Sequence, residues 1–154
     1  KMIILLVCAL LSVNAFAQNP LMTVKSGSLD VFNESVNINV VIDDYAHHPT
    51  EIQATLVSAK NYPHRELWVV FQPHTYTRTK AFLDGFVDAL SGFDHVILAD
   101  IYAAREKDPG DIHSKDILKG LLAKGCDAYY LSTFSEIEEF NKKNCKLILL
   151  TICS

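Results

Sequence analysis

The chain has 154 residues, 49% of them hydrophobic and 21% charged, which is typical of one globular domain and excludes a disordered chain. Its 14 Lys and Arg against 18 Asp and Glu give a net charge of −4. That balance argues against nucleic acid as a partner, because a nucleic-acid-binding surface normally shows as a basic excess. The four cysteines have no CxxC spacing, so we expect free thiols rather than a zinc or disulfide framework.

Residues 1–35 form an atypical amino-terminal segment. A basic Lys1, an apolar run over residues 2–13 and Ala15-Phe16-Ala17 are typical of a secretory signal. The run is too short to favour a membrane span, which needs about 20 apolar residues. A helix remnant from a neighbouring domain would give nearly the same pattern. Residues 18–35 are polar and turn-rich, which predicts a linker.

From Val36 onward, short apolar runs alternate with amphipathic stretches. Most of the runs lack strict alternation of apolar and polar residues, which is typical of strands covered on both faces. Five strands are predicted, at Val36–Ile42, Leu67–Gln72, His95–Asp100, Ala128–Leu131 and Leu147–Ile152.

Four helices are predicted between these strands. The first begins at Pro49, whose fixed φ suits the first helical turn. The second runs from about Thr77 to Leu90, with Phe82 among its inward-facing residues.

The third helix is expected to be capped by Ser114, to bury Leu122 with its other leucines and to end at Gly125. The fourth opens with the capping box Thr133 and Glu136. Strand–helix alternation of this kind predicts an α/β fold, a Rossmann-like three-layer domain with a largely parallel sheet of about five or six strands flanked by helices.

Three polar loops leave the first three predicted strands, at Asp43–His48, Pro73–Arg78 and Ile101–Asp111. Ligands of open α/β sheets bind outside the carboxyl ends of the strands. We therefore expect the three loops to meet at one rim and to form the functional site.

The first loop offers a carboxylate, a flat ring and two imidazoles. Asp44 accepts ribose hydroxyls or a metal-bound water in one interpretation and is a turn residue in the other. Tyr45 offers a face for a base, and His47 and His48 precede a helix start, where anions bind. No third ligand follows at a metal-binding spacing, so no metal site is predicted.

The second loop places Arg78 after a buried strand. A guanidinium matches a carboxylate or phosphate bidentately, and the alternative is a surface salt bridge with Asp84 or Asp88. The third loop, Tyr102–Gly110, either orders over a ligand or is a plain solvated loop. The chain has no phosphate-binding loop motif, so another domain must hold the phosphates if ATP is used.

Three strings in this order resemble the carboxy-terminal domain of the Mur ligase family. They are Asp43-Asp44-Tyr45-Ala46-His47-His48-Pro49-Thr50-Glu51, Phe71-Gln72-Pro73-His74-Thr75-Tyr76-Thr77-Arg78-Thr79 and Asp100-Ile101-Tyr102-Ala103-Ala104-Arg105-Glu106. The resemblance covers residues 36–144. The second string favours the members that add L-alanine to UDP-N-acetylmuramate over the murein tripeptide recycling ligases.

The resemblance implies one domain of a cytoplasmic, ATP-dependent acid–amino-acid ligase of peptidoglycan biosynthesis. Its partners would be UDP-N-acetylmuramate, L-alanine and ATP, with no nucleic acid and no membrane. ATP and Mg²⁺ would be held mainly by a central domain, so this chain is expected to be inactive alone. The alternatives are a recycling-ligase domain and an exported, non-catalytic binding domain.

The resemblance also implies a role for each matching residue. His47 and His48 would be catalytic, with His47 facing the reacting centre. Asp44 would bind the ATP ribose, and Tyr45 would lie by the nucleotide.

The substrate would be bound by Arg78, together with His74 and Thr75. Arg78 would take the carboxylate of the incoming amino acid. Some family members have a second arginine where this chain has Thr75, so Arg78 is expected to be the main anchor.

The resemblance weakens at both ends of the chain. Gly27 and Phe32 keep the spacing of a family motif whose two arginines are replaced by other residues here. The family continues beyond the last strand of this chain. We therefore expect a domain over 36–154, truncated at its carboxy-terminal end, in an incomplete or imperfectly translated copy.

Overall fold

The computed structural model describes residues 23–27, 39–62, 64–144 and 148–152. In chain order its elements are β1 (Thr23–Gly27), β2 (Asn39–Asp44), α1 (Pro49–Lys60), β3 (Leu67–Phe71), α2 (Tyr76–Ala81), α3 (Leu83–Leu90), β4 (His95–Leu98), α4 (Ser114–Ala123), β5 (Asp127–Tyr130), α5 (Phe134–Asn144) and β6 (Ile148–Ile152). The strands form one sheet in the order β1-β2-β6-β3-β4-β5. Among the strands that the structure describes, only β1 pairs antiparallel, with β2, so the predicted largely parallel α/β sheet is confirmed.

Side chains of the central strands alternate between two apolar cores. Leu67, Val69 and Phe71 of β3 pack in the larger core, whereas Trp68 and Val70 pack in the smaller one. This period of two is the geometry of a pleated strand, and both faces are apolar because both are covered.

Helices on both faces complete three layers. The larger core receives buried side chains from α1, α3 and α4, which include Ile52, Phe86 and Ile117. The smaller core receives Ile137 and the partly buried Phe140 of α5. The three-layer arrangement places the carboxyl ends of the parallel strands at one exposed rim.

The second predicted helix is two helices, because the chain leaves helical conformation at Phe82. Phe82 has φ −117° and ψ 24° and separates α2 from α3. The prediction that Phe82 faces inward is wrong, since its side chain is 40% exposed. The break turns this ring toward the rim, where it meets His48 edge-on with 4.6 Å between ring centroids.

The predicted cap of α4 is also wrong by one residue. His113 is the N-cap, and its Nδ1 accepts the backbone N–H of Lys115 at 3.1 Å while Asp116 accepts the N–H of His113 at 2.8 Å. An imidazole nitrogen replaces the usual hydroxyl or carboxylate acceptor, and Ser114 becomes the buried first residue of the helix.

Two further predictions for α4 concern Gly125, just past its end, and the exposure of Leu122. Gly125 has φ +77°, as expected for a residue just past a helix end. Leu122 is exposed, so its predicted burial is wrong. It lies about 100° around the helix from Leu121, which takes it outside the stripe that faces the sheet.

Several boundaries shift where the sequence signal is weak. The predicted linker 18–35 contains β1, and β2 continues to Asp44 rather than ending at Ile42. The signal-like residues 1–17 lie outside the described residues. The longest described helix, α1, has 12 residues, and no helix in the described ranges could cross a bilayer.

Candidate functional site

The three predicted loops meet at the carboxyl edge of the sheet. Here the first loop is Asp43–Glu51, the second loop is Phe71–Thr79 and the third loop is Ile101–Asp111. The second and third loops are joined by their backbones, because the Tyr102 N–H donates to the Pro73 carbonyl at 2.8 Å. The His48 ring of the first loop packs against Phe82 at the end of α2, and His47 of the first loop is close enough to His74 of the second for their charges to interact.

The first loop is closed by Glu51, one turn into α1. Its Oε2 accepts the backbone N–H groups of His47 and His48 at 2.9 and 3.0 Å. Burial on its own raises the pKa of Glu51, but these two donors and the nearby imidazoles outweigh it and hold the pKa below its ordinary value. Glu51 therefore stays a carboxylate and fixes the backbone that presents both histidines.

Asp44 and Tyr45 lie where β2 ends. Asp44 is half-buried, and its Oδ2 accepts the Thr55 hydroxyl from α1. The Tyr45 ring is 61% exposed and meets the His47 ring edge-on, with 5.5 Å between centroids. A fixed carboxylate beside an open aromatic face matches the sugar and base of a nucleoside.

The second loop holds Arg78 against His74. The Nη1 group of Arg78 donates to the His74 carbonyl at 2.8 Å and to His74 Nδ1 at 3.1 Å. Both hydrogen bonds that the Arg78 side chain makes to described residues use Nη1, so neither of them uses the Nε–Nη2 edge. That edge has the two parallel N–H groups that match a carboxylate. The alternative salt bridge with Asp84 or Asp88 is wrong, because Arg78 contacts His74 instead.

His74 is sandwiched between Arg78 and the third loop. Its ring stacks on Tyr102, with 5.5 Å between centroids and 18° between planes. Burial, the Arg78 charge and the His47 charge lower the pKa of His74, and Glu106 only partly opposes them. His74 is therefore neutral at pH 7 and accepts the Arg78 hydrogen bond.

Thr75 faces the third loop. Its hydroxyl donates to Glu106 Oε1 at 2.6 Å, and its carbonyl accepts from the backbone and hydroxyl of Thr79. Because the Thr75 hydroxyl already donates its proton to Glu106, it can only accept a hydrogen bond from a ligand. Its role in substrate binding stays a prediction.

The sequence analysis missed Glu106 as a site residue. Its second oxygen accepts the Thr77 N–H at 2.9 Å, so one carboxylate holds two positions of the second loop. The hydrogen bonds from Thr75 and Thr77 lower the pKa of Glu106 despite an opposing effect of burial. The third loop is therefore ordered against the second loop. The sequence analysis placed Glu106 in the third family string, but that string gave no signal for this contact.

A second cluster of polar side chains lies where β4 and β5 end, and it consists of Asp100, His113 and Tyr130. The Tyr130 hydroxyl donates to Asp100, and His113 Nε2 lies 3.8 Å from the same carboxylate. Burial and the Asp100 hydrogen bond raise the pKa of Tyr130 to about 12. His113, which the sequence analysis left without a role, therefore caps α4 and lies at the rim.

The described residues fit a nucleoside better than a metal ion. Among them, no three His, Cys, Asp or Glu side chains come together as a metal-binding group. Asp44 and Tyr45 supply an acceptor and a ring face of the kind that a nucleoside needs, and we assign no described residue to magnesium.

A largely parallel sheet with helices on both faces, and carboxylate, aromatic, imidazole and guanidinium groups at the carboxyl ends of its strands, define an α/β domain of the kind whose ligands bind at that edge. The family model "Mur ligase, glutamate ligase domain" matches residues 29–148. The chain belongs to the Mur ligase family, and the matched part is the family's carboxy-terminal domain. The expected Rossmann-like fold and family are thereby confirmed.

The chain is similar to proteins named UDP-N-acetylmuramate–L-alanine ligase. The Lachnoclostridium phytofermentans ligase is 60% identical over 105 residues, which cover 68% of this chain and 22% of the relative. The Agathobacter rectalis ligase is 59% identical over 114 residues, covering 74% and 25%. The chain thus spans about a quarter of the length of the curated relatives it matches.

A solved structure gives the same likeness in three dimensions. The UDP-N-acetylmuramate-alanine ligase MurC from Thermotoga maritima superposes with a TM-score of 0.59 at 28% identity, covering 79% of this chain and 25% of that chain. The preference for the L-alanine-adding members over the recycling ligases agrees with the names of the sequence relatives.

Proposed function

We propose that this chain is the carboxy-terminal part of an ATP-dependent ligase that joins L-alanine to UDP-N-acetylmuramate in peptidoglycan biosynthesis. The observation that supports it most directly is Arg78, whose Nη1 is held by His74 while its Nε–Nη2 edge makes no hydrogen bond to the described residues. The names of relatives that are 59–60% identical support the same substrates.

In the proposed reaction, the muramate carboxylate is activated as an acyl phosphate and the amine of L-alanine attacks it. Arg78 binds the alanine carboxylate and thereby aims the amine. Asp44 accepts the ribose hydroxyls of ATP, and Tyr45 lies along the base. His47 and His48 face the reacting groups. Magnesium would be held mainly by a central domain and would supply shielding of the phosphate charge.

The second loop decides between this activity and the recycling ligase. The first loop is shared by both classes, whereas the string Phe71–Thr79 favours addition of L-alanine. A free amino acid presents a carboxylate next to its amine, and a single held guanidinium can bind that carboxylate. Because the UDP-sugar and ATP are cytoplasmic molecules, we propose the cytoplasm as the place of action.

A chimera tests the proposal. The segment of the Lachnoclostridium phytofermentans ligase aligned with residues 36–144 is replaced by those residues, and phosphate release is measured with UDP-N-acetylmuramate, ATP and L-alanine. We expect release that depends on alanine, and no release from the 154-residue chain alone. A folded chimera that hydrolyses ATP without any alanine dependence would contradict the proposed function.

Arg78→Ala in the chimera tests whether Arg78 binds the alanine carboxylate. We expect the KM for alanine to rise about 10- to 100-fold, which corresponds to the loss of a charge-assisted hydrogen bond of about 1.5–3 kcal/mol. The matched control is Arg65→Ala, since this exposed arginine precedes β3 and so lies at the opposite end of the strand. Equal KM values for Arg78→Ala and the unmodified chimera would remove Arg78 from the substrate site.

A further inference from the structure

We propose that the adjacent residues His47 and His48 are fixed in opposite tautomers and have different roles. His47 accepts a proton at Nε2, whereas His48 donates a hydrogen bond from Nε2–H. The chemical part of this inference rests on the proposed function. The tautomers themselves follow from hydrogen bonds within the first loop.

The proton of neutral His47 lies on Nδ1. This nitrogen is 3.1 Å from the Tyr45 carbonyl oxygen, which can only accept, so Nδ1 must donate. The Glu51 carboxylate, 3.6 Å from the same nitrogen, favours a proton there as well. The lone pair is therefore on Nε2, in a side chain that is 33% exposed.

The proton of neutral His48 lies on Nε2. His48 caps α1, and its Nδ1 accepts the Thr50 backbone N–H at 3.4 Å. The Thr50 hydroxyl lies 2.8 Å from the same nitrogen and can donate to it. A backbone N–H can only donate, so Nδ1 must hold a lone pair. The Phe82 ring packs against the imidazole and limits its rotation.

The other rim histidines resemble His48. In His74 the Nδ1 atom accepts from Arg78, and in His113 it accepts from the Lys115 N–H. Among the rim histidines that the structure describes, His47 alone therefore offers a lone pair at Nε2. In the described part of the chain, the charged and titratable groups that face it include Glu51, Tyr45 and His74.

The two tautomers give His47 and His48 different roles in amide formation. As the amine nitrogen bonds to the acyl carbon, the bond from that carbon to the phosphate oxygen breaks, and phosphate leaves with the electron pair. The amine loses one proton, which passes to His47 Nε2 and then to solvent. His48 Nε2–H donates to the negative charge that develops on the acyl oxygen or phosphate.

Imidazole ¹⁵N spectra of the 154-residue chain test the tautomers without any reaction. Two-bond ¹H–¹⁵N correlations distinguish a protonated from an unprotonated ring nitrogen, and His47→Asn and His48→Asn assign the signals. We expect the unprotonated nitrogen to be Nε2 in His47 and Nδ1 in His48 at a pH where both rings are neutral. Finding the same tautomer in both residues would overturn the proposal.

The same two variants test the roles in the chimera, because asparagine keeps the Nδ1 position and deletes Nε2. At residue 47 its amide can still donate to the Tyr45 carbonyl, and at residue 48 its oxygen is a favoured N-cap. We expect His47→Asn to lower kcat about 100-fold or more with the KM for alanine unchanged, and added imidazole to restore part of the rate. His48→Asn is also expected to lower kcat, with no recovery in imidazole.

The outcomes separate the two proposals. Rescue of both variants, or of neither, would overturn the division of roles even if the chimera is active. An unmodified chimera that shows no alanine-dependent release would overturn the proposed function and with it the proton-transfer role of His47. The ¹⁵N spectra would still decide whether the two histidines differ.

Discussion

The first and second loops lie side by side at the rim, yet they are held by different kinds of contact. Glu51 closes the first loop from within, by accepting from backbone groups three and four residues away. Glu106 holds the second loop from the third loop, through partners 29 and 31 residues away. The histidines are therefore positioned as soon as α1 forms, whereas Arg78 is positioned only when the third loop is in place.

Among the substitutions that remove the contacts holding the two loops, Glu106→Ala in the chimera should have the largest effect. Removal of the carboxylate leaves the Thr75 hydroxyl and the Thr77 N–H without their acceptor, so the loop that presents Arg78 moves. We expect the KM for alanine to rise about tenfold, because small misplacements of a positioning group are costly, with a smaller change in kcat.

Two further variants show whether Glu106 acts through its position. Glu106→Gln retains a side-chain oxygen for one N–H and should restore most of the affinity. Lys107→Ala, at an exposed neighbouring position, should leave the KM unchanged. An unaltered KM in Glu106→Ala would show that the second loop holds Arg78 without the third loop.

Glu51→Ala should give the next largest effect, which is a decrease in the free energy of unfolding. Loss of the acceptor for the His47 and His48 N–H groups opens the start of α1, which costs about 1 kcal/mol for a typical helix cap. Glu139→Ala is the control, since this exposed residue of α5 pairs with Lys143 and such pairs contribute about 0.3–0.5 kcal/mol. Urea unfolding curves of the 154-residue chain that coincide for the two variants would rule out a closing role for Glu51.

The smallest expected effect is on the pH dependence of stability. The pKa values of Glu51 and Glu106 both lie below the ordinary 4.5, so the folded state binds these protons less readily than the unfolded state. Their contribution is present above the ordinary pKa and is lost as the pH falls through the lower, folded-state pKa.

Glutamine at either position should flatten the fall in urea midpoint between about pH 6 and pH 3. If the two loops are held independently, the effects of Glu51→Gln and Glu106→Gln should add in the double variant. If the urea midpoint of a glutamine variant falls with pH as steeply as that of the unmodified chain, the contact is absent. If the effects of the two substitutions do not add, the two contacts are coupled.

The contrast between the loops also explains what could be predicted from the sequence. Pro49 as a first helical residue, the Thr133 and Glu136 capping box and the alternation of strands and helices are local signals, and the structure confirms them. The rim itself followed from the rule that places ligands at the carboxyl ends of parallel strands. Tyr45 is accordingly in contact with His47, and His74 with Arg78, while the charges of His47 and His74 interact.

The features that could not be predicted depend on contacts between distant residues. The break at Phe82 lies in an apolar pattern that fits a continuous helix, and its ring is turned outward toward His48. β1 is a short polar segment whose pairing with β2 gives no local signal. Glu106 belongs to the third string that resembles the family, but its contacts could not be predicted from that string because its partners belong to another strand's loop.

The position of β6 has a consequence for how the domain is made. This strand is the last element that the structure describes, but it lies between β2 and β3 and pairs in parallel with both. While a ribosome is still adding residues before Ile148, neither β2 nor β3 has β6 as its neighbour. Until β6 is made, these two strands therefore have unpaired edges, which are templates for aggregation. Synthesis of β6 is the event that joins the strand bearing Asp44 to the strand that leads to Arg78.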